Sequence, residues 1–155
     1  MKSTAVFFSL ALLLFSACGS PARLVIDDVI QIRQVLVDDR LAATFEKTDG
    51  TPVRCGDAVL TDGTISYTYF KKGADTTTFD LWVVLNERGS STWKTFTRKA
   101  GRAAALLLNG AVLTTFPALP SADKQAMKVV VPRVATSQAE ADALQLRLDK
   151  KAGKK

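Results

Sequence analysis

Ala103-Ala104-Ala105-Leu106-Leu107-Leu108-Asn109-Gly110-Ala111-Val112-Leu113-Thr114-Thr115-Phe116 reads as two short apolar runs around a two-residue turn. Asn-Gly between such runs is the strongest short-range hairpin signal, because a type I′ turn needs two residues that tolerate positive φ. Pro117 and Pro120 close the hairpin, since neither can donate to a further ladder. An antiparallel pair this apolar needs other elements to cover it, and the flanking sequence supplies them.

Upstream, Phe79 to Leu85 reads as a buried strand, and Asn86 as the cap of a helix. Trp93, Phe96 and Ala100 are spaced by three and four, on one helical face, and Gly101 ends the helix. Downstream, Met127 to Val131 gives another short strand. Ser137-x-x-Glu140 forms a capping box before a helix presenting Ala141, Leu144 and Leu148. Closer to the N-terminus, Val29 to Val37 is rich in β-branched residues and favours a strand. Asp49-Gly50 marks a turn before a short returning strand at Val53 to Cys55. Ile65 to Phe70 is a further strand, broken by Lys71-Lys72-Gly73-Ala74-Asp75. The series predicts an α+β domain: a mostly antiparallel sheet with two helices packed on one face. There is no internal repeat.

The first residues carry a different message. Lys2 supplies a positive start, Ala5 to Ala17 form an apolar run, and Cys18-Gly19-Ser20-Pro21 follows. This matches a secretory signal peptide, and the run is shorter than the roughly 20 apolar residues of a spanning helix. Leu14-Phe15-Ser16-Ala17-Cys18 resembles the lipobox of bacterial lipoproteins, whose cysteine is lipidated and becomes the first mature residue. Phe15 stands where lipoboxes prefer Leu, and the small-residue rule also permits cleavage after Gly19 or Ala22. The expected organisation is a lipoprotein signal peptide at residues 1–17, a tether at 18–28, the α+β domain at 29–149 and a basic tail at 150–155. Gly19, not Asp, follows the cysteine, which resembles an outer-membrane rather than inner-membrane destination in a two-membrane host. The domain is thereby expected at the periplasmic face of a bacterial envelope.

Composition narrows the chemistry. The chain has 21 basic and 15 acidic residues, a net charge of +6, and Lys150, Lys151, Lys154 and Lys155 concentrate the excess at one end. A solvated helix end accounts for this, and contact with an anionic lipid or envelope polymer is the functional alternative. Nucleic acid is not an expected partner of an exported chain. No histidine is present, which removes Ser-His-Asp and Cys-His nucleophilic machinery, the usual zinc sites and the default general base. No phosphate-cradling glycine loop and no CxxC pair occurs. Asp27-Asp28 and Asp38-Asp39 are carboxylate pairs, yet neighbours along a strand point to opposite faces and are poorly placed to share a proton or metal. Asp57 and Asp62-Gly63 read as turn residues. Trp82, Trp93, Phe79 and Phe96 could form a stacking surface, but such spacing is commoner in a core. With Cys18 lipidated, Cys55 is a lone thiol behaving as a small hydrophobe; without lipidation a Cys18–Cys55 bridge is the rival. No catalytic, cofactor or metal residue is assigned, and Cys18 is the one site residue, for lipidation.

From Phe79 to Leu148 the motifs also occur in a familiar order. Leu85-Asn86-Glu87-Arg88-Gly89 with Trp93, Phe96 and Thr97 is similar to a strand end Leu-Thr-x-Glu-Gly followed by an aromatic-bearing helix. Gly101-Arg102 with the hairpin to Leu113, and Thr136 to Leu148 with Glu140-Ala141 and Leu144, complete the pattern, and Val59-Leu60-Thr61-Asp62-Gly63 is a weaker echo upstream. Together they resemble the head subdomain of the first periplasmic domain of SecD, an accessory subunit of the bacterial protein-export translocon. Asn109 stands where that family has Asp, Pro117 falls one residue late, and no glycine precedes Thr136. The resemblance implies the fold and at most a binding habit. It does not imply SecD's proton-driven step, because no long apolar run follows Cys18. The expected function is a non-enzymatic, lipid-anchored envelope module that contacts an exported polypeptide or another envelope protein. A structural lipoprotein touching anionic polymer or lipid, and a carboxylate-dependent hydrolase, are the alternatives.

Overall fold

The computed structural model describes residues 30–37, 42–121 and 127–152. The expected signal peptide, Cys18, the whole of the expected tether and both Asp pairs lie outside the described residues. Eight strands and two helices are present among those described: β1 Ile30–Val35, β2 Ala43–Glu46, β3 Pro52–Thr61, β4 Ile65–Lys72, β5 Phe79–Leu85, α1 Glu87–Thr97, β6 Ala103–Leu108, β7 Ala111–Pro117, β8 Lys128–Ala135 and α2 Gln138–Ala152. The class is the α+β expected from sequence. The strands, however, divide into two sheets, ordered β2-β3-β1-β6-β7 and β4-β5-β8.

The β6–β7 hairpin turns at Asn109 and Gly110, with φ of 52° and 82°. Both central residues are thus left-handed, as a type I′ turn requires. Residues Ala104 to Leu108 of β6 are all buried, which explains a run without polar alternation. Leu106 and Ala104 face one apolar cluster with Ile30, Ile32 and Leu60. Ala105 and Leu107 face another, with Phe45, Val53, Cys55 and Val112. The second cluster forms because the five-stranded sheet curls until its edges meet at the Lys47↔Val112 bridge. It is the inside of a small, nearly closed barrel.

The first cluster is the main core. Leu81, Val83 and Leu85 of β5 and Val129 and Val131 of β8 lay the inner face of the three-stranded sheet against β1, β3 and β6, with Trp93 and Phe96 of α1 sealing one end. Ala141 and Leu144 of α2 pack on Phe79, Leu108 and Ala135 at the other. The α2 start is boxed as expected, with a one-residue offset. Glu140 N–H donates to Ser137 Oγ at 3.2 Å, while the Glu140 carboxylate accepts from Thr136 N–H at 2.8 Å.

Differences from the sequence reading have local causes. The strand expected at Val53 to Cys55 is the ten-residue β3, and β2, not anticipated, pairs with its first half from Ala43↔Cys55 to Glu46↔Pro52. Ala100 is exposed and lies beyond α1, because the helix ends at Thr97 and the chain turns through Gly101 at φ 77°. The last strand begins at Lys128 and runs on to Ala135.

Helix α1 is seated by Asn86. Its side-chain oxygen accepts from Gly89 N–H at 2.9 Å, its amide donates to Gly63 O at 3.0 Å, and its own backbone N–H donates to Thr64 O at 3.1 Å. One residue therefore caps the helix and ties it to the turn at Asp62–Thr64. Gly89 is needed there, since a Cβ would overlap the Thr64 carbonyl oxygen. Asn86→Ala is expected to lower stability by about 1–2 kcal/mol in urea unfolding, the usual loss for a cap. Asn86→Asp, which keeps the acceptor and loses the donor, should recover only part of it.

Candidate functional site

The β6–β7 hairpin delivers the chain into a groove. β7 ends at Pro117, Ala118 N–H donates to Arg102 O at 2.8 Å, and Leu119, Pro120 and Ser121 then run past the free edge of β8. The groove between this segment and β8 measures about 340 Å³, floored by Trp93 and Phe116 and walled by Leu119, Val130 and Pro132. Two further hydrogen bonds hold the segment: the Trp93 indole Nε1–H, from the core, donates to Leu119 O at 3.2 Å, and Lys128 N–H donates to Ser121 Oγ at 3.4 Å. Leu119 is 67% exposed and Val130 37%, so two large apolar side chains stand open at its rim. Surfaces of this kind mark sites for apolar partners.

Free sheet edges also offer unpaired backbone groups to which an extended segment can add. Here prolines limit it. Pro132 leaves a gap in the donors of β8, and Pro117 and Pro120 remove donors from the opposite wall. The groove can hold an extended segment mainly by packing its side chains against Leu119, Val130 and the proline rings.

The barrel interior is closed chemistry. Arg33 is only 9% exposed; its Nε donates to Gln31 Oε1 at 2.8 Å, its Nη1 to Gly56 O at 2.9 Å, and its guanidinium lies 5.0 Å from the Phe45 ring centroid. The cation is thus met by carbonyl oxygens and a ring face. Cys55 is a free, fully buried thiol in the same barrel. Burial pushes its ionisation up, with the Arg33 charge pulling more weakly the other way. A raised thiol is a poor nucleophile at neutral pH. At the surface, Asp75 is held below the usual carboxylate range by the Thr78 hydroxyl and the Thr77 and Thr78 amides, with Arg133 3.7 Å away. These contacts order the β4–β5 loop.

The other candidates separate. Asp57 is exposed, and Asp62 accepts from Ile30 N–H at 3.2 Å, a turn role. Among the described residues no three His, Cys, Asp or Glu side chains gather. Of the four aromatics weighed from sequence, Phe79, Trp93 and Phe96 are core, whereas Trp82 points out of the three-stranded sheet and stacks on Tyr69. Alternation from Phe79 to Val83 carried that signal: Leu81 and Val83 face inward, so Trp82 between them faces outward.

No family model matches the chain, and no curated protein matches it significantly. Solved structures do. A SecDF structure, from a membrane component that enhances protein export, superposes with a TM-score of 0.56 at 16% identity, covering 78% of this chain and 61% of that one. The fold is SecD-like. A crystal structure of SecDF in the Super-membrane-facing form gives 0.56 at 17% identity over 78% of this chain and 18% of that chain. The chain therefore spans about three fifths of the first of these and a small part of the second. Identities this low establish shared architecture, and function has to be argued from the site. Among the described residues no helix is long and apolar enough to cross a membrane.

The buried thiol gives a direct check on the barrel. Cys55 is expected to resist alkylation in the folded protein at pH 8 and to react fully in denaturant. Because its folded ionisation lies above the ordinary 9.0, its contribution to stability is complete below that pH and is lost as pH rises through the folded value. Urea midpoints should therefore fall above about pH 9 in the native chain, and Cys55→Ala should flatten that slope while lowering the whole curve.

Proposed function

We propose that this chain is a non-enzymatic, lipid-anchored module of the bacterial envelope that holds extended polypeptide during export. The observation that carries this reading is the groove beside β8, with Leu119 and Val130 exposed at its rim and a core tryptophan bonded to its wall. Apolar anchors around a rigid concave surface capture segments rich in apolar side chains with little regard to sequence. That is what a secretory polypeptide offers before it folds. The SecD-like fold supports the same setting, since the solved relative is a membrane component that enhances protein export. Cys18 supplies the attachment: acyl chains contribute about 0.8 kcal/mol per buried CH₂, and two or more give stable anchoring.

Two experiments test the halves separately. A photo-crosslinking residue at position 119 or 130 should form adducts with translocating polypeptide in cells, whereas one at the exposed position Ala143 on α2 should not. Equal yield at all three, or none at the groove, contradicts the site. For the anchor, Cys18→Ala should move the protein from the membrane to the soluble fraction. An intact mass showing unmodified Cys18 in the mature wild-type chain overturns it.

A further inference from the structure

The outer face of the three-stranded sheet is a second surface of distinct chemistry. Trp82 stands at its centre, in register with Tyr69 on β4 and Val130 on β8. Tyr67, 59% exposed, continues the row: Tyr67 and Tyr69 centroids lie 6.2 Å apart at 28°, and Tyr69 and Trp82 5.9 Å apart at 19°. Three near-parallel rings thus form a strip on an open sheet face. Two ammonium groups flank it, Lys71 Nζ at 5.5 Å and Lys128 Nζ at 6.0 Å from the Trp82 ring.

Among the described residues neither Lys71 nor Lys128 forms an ion pair; Asp80, opposite Lys71 in register, turns its Oδ1 to the Arg133 backbone N–H at 3.0 Å and is the one acid placed beside the strip's two lysines by register. The face therefore combines flat negative π surfaces with two ammonium groups held in no ion pair, Lys128 having no acid opposite it in the strand register.

We propose that this face binds an acidic polysaccharide. The C–H face of a sugar ring is flat, apolar and slightly positive, so it complements the negative face of an aromatic ring. Carboxylates on the same sugars reach the two ammonium groups, which already sit over the central ring. An acidic peptide meets the lysines but finds no pocket for its side chains on this pleated face, and its backbone is served by sheet edges. Single-stranded nucleic acid also stacks on aromatic strips beside basic groups. The choice of polysaccharide over nucleic acid rests on the envelope location proposed above. The strip adjoins the groove through Val130 and Lys128, which border both, but the groove is floored by Trp93 and the strip is centred on Trp82, so each surface has its own tryptophan reporter.

Intrinsic fluorescence of the full mature domain, compared with Trp82→Phe to isolate the surface reporter, reads the binding. An oligogalacturonate should quench Trp82 and bind at least about tenfold tighter than its fully methyl-esterified counterpart, with affinity falling as salt rises. Tyr67→Ala, an exposed position that leaves the fold intact, should weaken binding about tenfold, and Lys71→Gln with Lys128→Gln should abolish the preference for the acidic form. Absence of quenching at millimolar oligogalacturonate, or equal affinity in Tyr67→Ala, overturns the proposal. Tighter binding of poly-glutamate or of a thymidine oligonucleotide also overturns it, in favour of an acidic protein or nucleic acid. The oligonucleotide result would in addition count against export, whereas failure of the glycan alone leaves the polypeptide groove unaffected.

Discussion

Strand β6 is buried on both faces, and the rest of the structure is arranged around that constraint. Ala104, Leu106 and Leu108 close the space beneath the three-stranded sheet and α2, while Ala105 and Leu107 fill the barrel. No polar position is available along this stretch, so a one-residue slip would exchange the two sets of contacts and misfit both cores. The Asn109-Gly110 turn holds the register from one end, and the pairing Ile30↔Leu108 to Gln34↔Ala104 holds it along β1. The same hairpin sends Pro117 to Ser121 along the groove wall. The fold's most restrictive element thus sets the position of its most exposed apolar surface.

Features governed by short-range chemistry were readable from the chain: the hairpin, the bounds of β5, the Asn86 cap and the start of α2. Each depends on residues a few positions apart. The missed features are long-range. β3 was read as short because Gly56 and Asp57 interrupt its alternation, and the register against β1 shifts just there, between Arg33↔Ala58 and Val35↔Cys55. β2 is four residues with one buried side chain, Phe45, whose partners come from strands far along the chain. Division into two sheets is likewise a matter of which strands meet. The groove could not be seen in advance because its walls come from a post-hairpin segment and a distant edge strand. Trp82 could have been placed by alternation alone.

The two open surfaces share a scaffold and differ in what they offer. The groove has apolar rims, proline walls and a gap in backbone donors, which suits a non-specific hold on extended chain. The strip has stacked rings and unpaired ammonium groups, which suits a flat anionic polymer. Neither depends on a nucleophile or a titrating base, and the one buried thiol and the buried guanidinium are satisfied within the barrel. Under the proposed function, a polypeptide-holding module tethered by lipid has a direct use for a second contact with a surrounding polymer.

The indole N–H resonances of the two tryptophans give the most direct test of the polypeptide reading. Trp93 Nε1–H is bonded to the Leu119 carbonyl at the groove wall, while Trp82 stacks on Tyr69 on the outer face of the three-stranded sheet, beside Val130. Titrating the ¹⁵N-labelled domain with a reduced and alkylated secretory polypeptide should shift the Trp93 indole and the Leu119 amide more strongly than the Trp82 indole. A Trp93 resonance that stays fixed at saturating polypeptide, or a shift confined to Trp82, would contradict the account.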